Sequence, residues 1–368
     1  MTNRIQIKNS LGMGFLGISY KNMGSKQEQQ GYSGVSHMME HLMCKTFDDM
    51  QEEIKSLGLD DNAFTSDNQI VFWLTGLSES IKEVSERVYT KITKQSQLWT
   101  KEQFDIEKNV VLQEWADSFN DQISAFYLNL LRNKFNSYSA IGHKQDIINF
   151  SYETSLDWAR KFTIPSDIYE VIDKESYISE IPFCMPLLNK SNELKYGNYG
   201  GTEKVNKQDK TCVGVISNTT FDTKKASKLS FILTCLNSGL ESPLYQEIRE
   251  KRGLSYFSMS DLNVVGDQVI PVFISCTTNE NTTLLSKTYE TFFSTPMDTL
   301  ISKERYEICL KALKIKNKIA NILPHSGIKT VHLADFNPFE NLDSFTYEEI
   351  ITLANETFNS NNLTVETD

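Results

Sequence analysis

The amino-acid sequence predicts an α+β fold with two similar domains, each a mostly antiparallel or mixed sheet packed against helices. One observation is length, because 368 residues exceed what a single hydrophobic core usually organises. The other is an internal repeat, in which a helix, a Gly-Leu turn, an apolar run and a second helix recur in the same order. The two turn glycines, Gly58 and Gly253, are 195 residues apart.

The two copies of the repeat set the main elements. Short runs rich in β-branched and aromatic residues predict strands, and apolar residues at three- and four-residue spacing predict helices. The first copy gives a helical turn at 53–59, a strand at 70–75 and a helix at 80–89. The second copy gives a helical turn at 247–254, a strand at 269–275 and a helix at 282–289.

Other elements follow from local pattern. A helix is predicted over 101–115, because Phe104, Val111 and Trp115 recur at helical spacing. A Thr346-x-x-Glu349 capping box starts a helix over 346–354. Strands are predicted at 211–216 and 362–366.

The domain boundary is predicted in residues 186–210, which are rich in Asn, Lys and Gly and poor in aliphatic residues, as linkers are. This places an N-terminal domain at 1–185 and a C-terminal domain at 211–368.

Composition and net charge limit the binding partners and the cellular location that we expect for the protein. A net charge of −11 argues against binding to nucleic acid or to anionic membranes. No segment reads as a signal peptide or a membrane span. The six cysteines show no Cys-x-x-Cys pairing, and several sit in apolar runs such as the one ending at Cys276, as buried reduced thiols do. We therefore expect a cytoplasmic protein.

The strongest candidate site is the segment His37-Met-Met-Glu40-His41. On a helix, histidines four residues apart lie about 40° apart around the axis, so both imidazoles can reach one metal ion. Glu40 is offset and can hold a water molecule instead. This order is the inverted zinc-protease motif. The plain alternative is a surface helix with two ordinary histidines.

A catalytic zinc site needs a third protein ligand and leaves a fourth position for water. Glu107 and Glu114 are candidates, because seven residues on a helix bring both carboxylates close to one face. One could ligate the metal while the other orients a ligand or touches substrate. Spacing alone leaves this choice open, and acidic residues on a helix are often only its solvated face.

With these motifs the chain resembles the insulinase and mitochondrial-processing-peptidase family (M16), zinc metallopeptidases of the inverted-motif type. The resemblance implies that His37, His41 and Glu114 bind Zn²⁺ and that Glu40 is the general base. It makes Glu107 an auxiliary carboxylate beside the metal ligands. The chain departs from the family pattern after the metal helix, where Lys45-Thr46 lacks the usual glycine.

The resemblance extends to substrate contacts in both halves. The segment Asn62-Ala63-Phe64-Thr65 is similar to a family strand whose exposed edge binds substrate by backbone hydrogen bonds. The segment 249–256 is similar to the Arg-x-x-x-Gly-Leu-x-Tyr signature, in which the arginine and the tyrosine touch substrate or the developing oxyanion. The residues that match these two are Arg249 and Tyr256.

Together the motifs and the resemblance predict a zinc-dependent endopeptidase that hydrolyses unfolded peptides or protein segments. Large members of the family fuse two halves of this size. A half-size chain therefore implies a homodimer, or a heterodimer with a similar subunit, in which Arg249 and Tyr256 of one subunit would complete the zinc site of the other. Two alternatives stay open: a catalytically silent scaffold or partner subunit on the same fold, and a zinc hydrolase that acts on a non-peptide substrate.

Overall fold

The computed structural model describes residues 3–8, 13–94, 99–135, 139–172, 210–265, 267–322 and 337–368. These residues form two compact units. The first unit contains the described residues up to 117, residues 139–172 and residues 319–322. The second contains 118–135, the described residues within 210–318, and 337–368. Among the described helices, none has both the length and the apolar character that crossing a membrane requires.

The first unit is built on a sheet of β1 (Asn3–Lys8), β2 (Met13–Lys21), β3 (Asp60–Thr65), β4 (Gln69–Leu77) and β5 (Asp167–Ile172). The strand order is β1-β5-β2-β4-β3, with β1 parallel to β5 and the other neighbours antiparallel. Among the described strands, β3 therefore lies at one edge of its sheet.

Helices in the first half of the chain are α1 (Val35–Cys44), α2 (Gln51–Ser56), α3 (Ser78–Lys94), α4 (Lys101–Asn120), α5 (Gln122–Phe135), α6 (Lys144–Asn149) and α7 (Tyr152–Ala159). Helix α3 buries Val88 and Ile92 next to Leu16 and Phe72 of the sheet. Helix α1 packs against β3. The sheet thus supports the helix that carries the histidine motif.

The second unit is built on a second antiparallel sheet, in which β9 pairs with β6, β7 and β8, and β10 pairs with β6. Its strands are β6 (Lys210–Ser217), β7 (Phe221–Asp222), β8 (Ser258–Val265), β9 (Gln268–Thr278) and β10 (Leu363–Thr367). The helices after β7 are α8 (Ala226–Asn237), α9 (Pro243–Tyr245), α10 (Thr282–Ser294), α11 (Met297–Leu300), α12 (Lys303–Ile322) and α13 (Tyr347–Thr357).

Helices cover both faces of this second sheet. On one face the ring of Phe273 lies 5.1 Å from that of Phe293 in α10, between ring centroids. On the other face, Phe126 and Leu130 of α5 pack against Ile274. Adjacent residues of a strand point to opposite faces, which explains why Phe273 and Ile274 join different helices. Helix α5 falls within the range 1–185 predicted for the first domain, but it belongs to the second unit.

Two cysteines differ from the expected reduced state. Cys212 of β6 and Cys276 of β9 are opposite residues, with Cα atoms 4.1 Å apart, and they form a disulfide. The expectation of reduced thiols was therefore wrong for this pair. Local sequence could not reveal it, because strand register joins two positions 64 residues apart. Cys44, Cys235 and Cys309 are free thiols.

The mixture of helices and antiparallel strands in two sheet-containing units confirms the predicted fold class. The strand predicted at 70–75 lies in β4, and the helix predicted at 282–289 lies in α10. Thr346 caps α13, since its hydroxyl accepts from the N–H of Glu349 at 3.3 Å. The predicted linker, 186–210, lies outside the described residues except for Lys210 at the start of β6.

Candidate metal centre

Helix α1 begins at a position that only glycine fits well. Gly34, its N-cap, has φ 91°, in the left-handed region. A side chain there would also place its Cβ 3.0 Å from the Cα of Gly142. The Glu28 carboxylate caps the helix by accepting from the N–H groups of Gly34, at 2.8 Å, and Ser36, at 2.7 Å. Burial raises the pKa of Glu28 to about 8, although these two donors act in the opposite direction.

Three side chains, two from α1 and one from α4, come close together. Oε2 of Glu114 in α4 lies 3.4 Å from Nε2 of His37 and 3.5 Å from Nε2 of His41. Within the described residues, these three form the one group of potential metal ligands, with ligand atoms all within 4.8 Å of one another. Ligands about 2.0–2.1 Å from a tetrahedral zinc lie about 3.3 Å apart. The two carboxylate-to-imidazole distances fit zinc coordination.

The protonation state of His37 also suits metal binding. Burial and the neighbouring His41 lower the pKa of His37 to about 4. The imidazole is therefore neutral at pH 7, which is the form that binds a metal. The side chain of Glu114 is 45% exposed, so one side of the centre is open to solvent or substrate.

A carboxylate on the same helix as Glu114 orients one histidine. Oε2 of Glu107 lies 3.1 Å from Nδ1 of His41, which places the ring hydrogen on Nδ1 and leaves the Nε2 lone pair facing Glu114. The other oxygen, Oε1, lies 3.0 Å from Nζ of Lys45. Burial acts to lower the pKa of Lys45, but its ion pairs with Glu107 and Asp48 outweigh burial and raise it. Such partners fix the tautomer and orientation of a ligating histidine.

Glu40 sits between the two histidines in sequence and is 9% exposed. Its Oε2 accepts a hydrogen bond of 2.5 Å from the hydroxyl of Thr65 in β3. Burial raises the pKa of Glu40, while the Thr65 bond and the nearby His41 act in the opposite direction. A carboxylate with a raised pKa beside a metal site is suited to accept and return a proton.

The predicted substrate strand is β3, which the structure places at the sheet edge. The N–H of Ser66 bonds the carbonyl of Gln69, at 2.8 Å, at the hairpin end. Because antiparallel bonding alternates, Phe64 and Asn62 bond to β4, whereas the backbone groups of Ala63 and Thr65 point toward the edge. The N–H of Ala63 accordingly donates to Oδ1 of Asn62, at 2.8 Å, and not to β4.

Arg249 and Tyr256 belong to the second unit. Arg249 lies in a π-helical turn, Gln246–Glu250, and its guanidinium donates to the hydroxyl of Tyr245. It also stacks 4.4 Å from the centroid of the Tyr256 ring, and Tyr256 is 81% exposed. The structure thus brings these two residues together, and their action on substrate stays a prediction.

Sequence reasoning missed two contacts at the centre. In the sequence Lys45 stands near the position where the family has a glycine, and it lies four residues after His41, so its side chain emerges on the same side of the helix. The sequence predicts that Thr65 binds substrate, but it does not predict the hydrogen bond from the Thr65 hydroxyl to Glu40. No local pattern signals that second contact, because it depends on how α1 packs on β3.

Comparisons with known proteins identify two domains of one peptidase family. Residues 20–142 match the model of the family described as Insulinase (Peptidase family M16), and residues 170–304 match the model described as Peptidase M16 inactive domain. The chain is similar to a Rickettsia felis protein described as an uncharacterized zinc protease, at 23% identity over 92% of this chain and 88% of that one.

Solved structures share the fold. A putative M16-like peptidase from Alicyclobacillus acidocaldarius matches with a TM-score of 0.74 at 15% identity, over 100% of this chain and 97% of that one. The periplasmic protease PqqL from Escherichia coli matches with a TM-score of 0.67 at 14% identity, over 99% of this chain and 46% of that one. With the two domain matches in the expected order, the chain belongs to the insulinase family of peptidases, family M16.

Proposed function

We propose that this chain is a zinc-dependent endopeptidase that hydrolyses unfolded peptides or protein segments. The observation that carries the proposal is the convergence of His37, His41 and Glu114 beside the buried carboxylate of Glu40. A metal ligand set next to a candidate general base is the minimum that metal-assisted hydrolysis requires.

The donor set suits zinc. Two neutral imidazoles and one carboxylate are the ligands of known catalytic zinc sites, and His37, His41 and Glu114 would hold the ion. When bound there, zinc would polarise the scissile carbonyl and make water more acidic. Glu107 would keep His41 oriented through its contact at Nδ1.

Glu40 would act as the general base. Its Oε2 is held by Thr65, so Oε1 is available to accept a proton from the attacking water and to pass it to the leaving amine. Hydrolysis of a peptide bond needs both transfers, because the amide nitrogen leaves only after it gains a proton. The low exposure of Glu40 keeps bulk water from competing for the same oxygen.

The substrate would bind as an added strand along the edge of β3. The backbone groups of Ala63 and Thr65 would bond to the peptide main chain, while Asn62 and Phe64 hold β3 to the sheet. Main-chain recognition of this kind is indifferent to most side chains and requires an extended segment. This supports unfolded peptides as the substrate class.

Arg249 and Tyr256 would donate hydrogen bonds to the substrate or to the developing oxyanion. The exposed phenol and the stacked guanidinium are both free to meet a ligand on their solvent side. We also propose that the chain works as a dimer, with an identical or similar subunit. The match to PqqL over only 46% of that longer protein supports a half-size unit.

The direct test is mass-spectrometric cleavage of a mixed peptide library by the zinc-loaded protein, beside Glu40→Gln and the matched control Glu102→Gln, an exposed glutamate on α4. The wild type and the control should cut at the same sites, and Glu40→Gln should bind zinc without cutting. If none of the three cuts a peptide or turns over a small metabolite, the chain is a catalytically silent scaffold or partner subunit. If they turn over only small metabolites, it is a non-peptide hydrolase.

Mixed subunits test the dimer. Glu40→Gln and Arg249→Ala, each expected to be inactive alone, are mixed after dissociation and allowed to reassociate. If Arg249 serves the partner's centre, the mixture regains activity, because each mixed dimer contains one complete centre. No regain would place Arg249 beside the Glu40 of its own subunit, and a strictly monomeric active protein in sedimentation would contradict the dimer.

The cytoplasmic location stays a prediction. Its thiol argument no longer holds, because Cys212 and Cys276 form a disulfide, a bond that is typical of oxidising compartments.

A further inference from the structure

Thr65 and Glu40 are joined by a hydrogen bond between two different elements of the first unit. The hydroxyl of Thr65, on β3, donates to Oε2 of Glu40, on α1, at 2.5 Å. Glu40 is 9% exposed, so water has little access to replace a lost partner. A hydrogen bond to a buried carboxylate is among the stronger ones in proteins. This bond therefore fixes the position of the Glu40 side chain.

The position of Thr65 is itself fixed by the hairpin that follows it. The N–H of Ser66 bonds the carbonyl of Gln69 at 2.8 Å, and the carbonyl of Ser66 accepts from the N–H of Ser25 at 3.1 Å. The hydroxyl of Ser25 also donates to Oδ1 of Asp67, at 3.0 Å. These hydrogen bonds hold the end of β3 in place, so Thr65 has a well-defined position from which its hydroxyl can hold the Glu40 side chain.

Thr65 faces two ways. Its side chain points to Glu40, and its backbone groups lie on the edge of β3 that points away from β4. A peptide that adds to this edge would bond to the residue whose hydroxyl holds the carboxylate. Seating of the substrate and orientation of the carboxylate would then depend on the same residue.

We propose that Thr65 is a positioning residue for Glu40, which holds Oε2 so that Oε1 faces the attacking water once a peptide is seated on β3. This inference rests on the proposed peptidase function. A glutamate side chain has three rotatable bonds, and proton transfer needs the accepting oxygen within about 3 Å of the donor. Without the hydroxyl, Glu40 would sample orientations that do not meet this requirement.

The variants separate the hydroxyl from the shape of the side chain. Thr65→Val keeps the branched shape and removes the hydroxyl, whereas Thr65→Ser keeps the hydroxyl. Thr75→Val is the matched control, because Thr75 is a buried threonine of the neighbouring strand whose hydroxyl bonds the carbonyl of Gly14.

For Thr65→Val we expect kcat to fall about 10- to 100-fold while KM stays within about twofold. Zinc affinity, measured by competition with a chromophoric chelator, should match the wild type. Thr65→Ser should keep kcat within about threefold, and Thr75→Val should keep both constants. Crystal structures of the zinc-free variants should show a displaced Glu40 carboxylate in Thr65→Val only.

Each other result overturns the proposal. An unchanged kcat in Thr65→Val, or an undisplaced Glu40, would show that the hydroxyl does not position the carboxylate. A loss of kcat together with zinc binding, or no rescue by Thr65→Ser, would show a general structural defect. If the wild type itself cuts no peptide, the proposed function fails, and this inference falls with it. Cleavage by the wild type with equal cleavage by Thr65→Val overturns this inference alone.

Discussion

Oε2 of Glu107 lies 3.1 Å from Nδ1 of His41. The contact ties α4 to α1 at a histidine that is placed to bind metal, and it sets which ring nitrogen carries the hydrogen. Glu107 is 7% exposed and is held on its other oxygen by Lys45, so the arrangement is protected from solvent. Zinc binding should therefore depend on the contact between Glu107 and His41 and on the contacts beside it.

Replacing Glu107 with glutamine should weaken zinc binding by about 10- to 100-fold, because the neutral amide supports the His41 tautomer less well than a carboxylate does. Chelator competition at pH 7 measures the affinity. Glu102→Gln, on the exposed side of the same helix, is the control. Unchanged affinity in Glu107→Gln would show that His41 does not depend on this carboxylate.

Lys45→Met should weaken zinc binding by about threefold to tenfold, less than Glu107→Gln, because Lys45 acts on His41 only through Glu107. The double variant Lys45→Met with Glu107→Gln should bind zinc about as well as Glu107→Gln alone. Such non-additivity is expected for residues of one network. Fully additive losses would mean that Lys45 acts by another route.

Glu114→Gln should lower zinc affinity by at least about 100-fold, since it removes the charged ligand of the group. The stabilisation that zinc gives the folded protein should fall by about 2.7 kcal/mol for each 100-fold loss at saturating metal. Thermal unfolding with and without zinc measures this difference. A variant that is stabilised by zinc as much as the wild type would exclude Glu114 as a ligand.

In the zinc-free protein, the contribution of His37 to stability should be lost as the pH falls from 6.5 to 4, while the raised pKa of Glu28 acts in the opposite direction. Burial lowers the pKa of His37 from 6.5 to about 4, so the unfolded chain binds more protons than the folded chain in that window. The loss is on the order of 3 kcal/mol. Urea unfolding in the presence of a chelator measures the free energy of unfolding at each pH. As the pH falls from 6.5 to 4, this free energy should change less favourably in the wild type and in His143→Gln than in His37→Gln. Equal slopes in all three would contradict it.

Reducing the Cys212–Cys276 disulfide should lower the free energy of unfolding by about 2–4 kcal/mol, because the bond closes a loop across 64 residues in the unfolded chain. Denaturant unfolding with and without a phosphine reductant measures the change. The double variant Cys212→Ser with Cys276→Ser should not respond to reductant, and a wild type that does not respond would show that the bond adds no stability.

The elements that could be predicted from the sequence are those with a local cause. The 101–115 helix prediction falls in α4 because apolar spacing acts within a few turns, and the Thr346 cap acts across three residues. The histidine motif places two candidate metal ligands on one helix turn for the same reason. The choice of Glu114 came only from the family resemblance, and the distances to His37 and His41 agree with it.

The parts that could not be predicted depend on how distant elements pack. Glu107 and His41 are 66 residues apart, and their contact requires the docking of α4 beside α1. The disulfide requires the register of β6 and β9. The placement of α5 on the second sheet requires that Phe126 and Leu130 pack against Ile274, which is far from them in the sequence. No local pattern predicts such a contact.

The exposed edge of β3 carries a risk of self-association. An edge strand with backbone groups that do not bond to its neighbour is a template on which any extended chain, including another copy of this protein, can begin to aggregate. The strand is only six residues long and starts with two aspartates, Asp60 and Asp61, whose like charges oppose pairing between copies. The same charges would favour segments that carry lysine or arginine. An edge kept short and acidic can therefore stay open without making the protein insoluble.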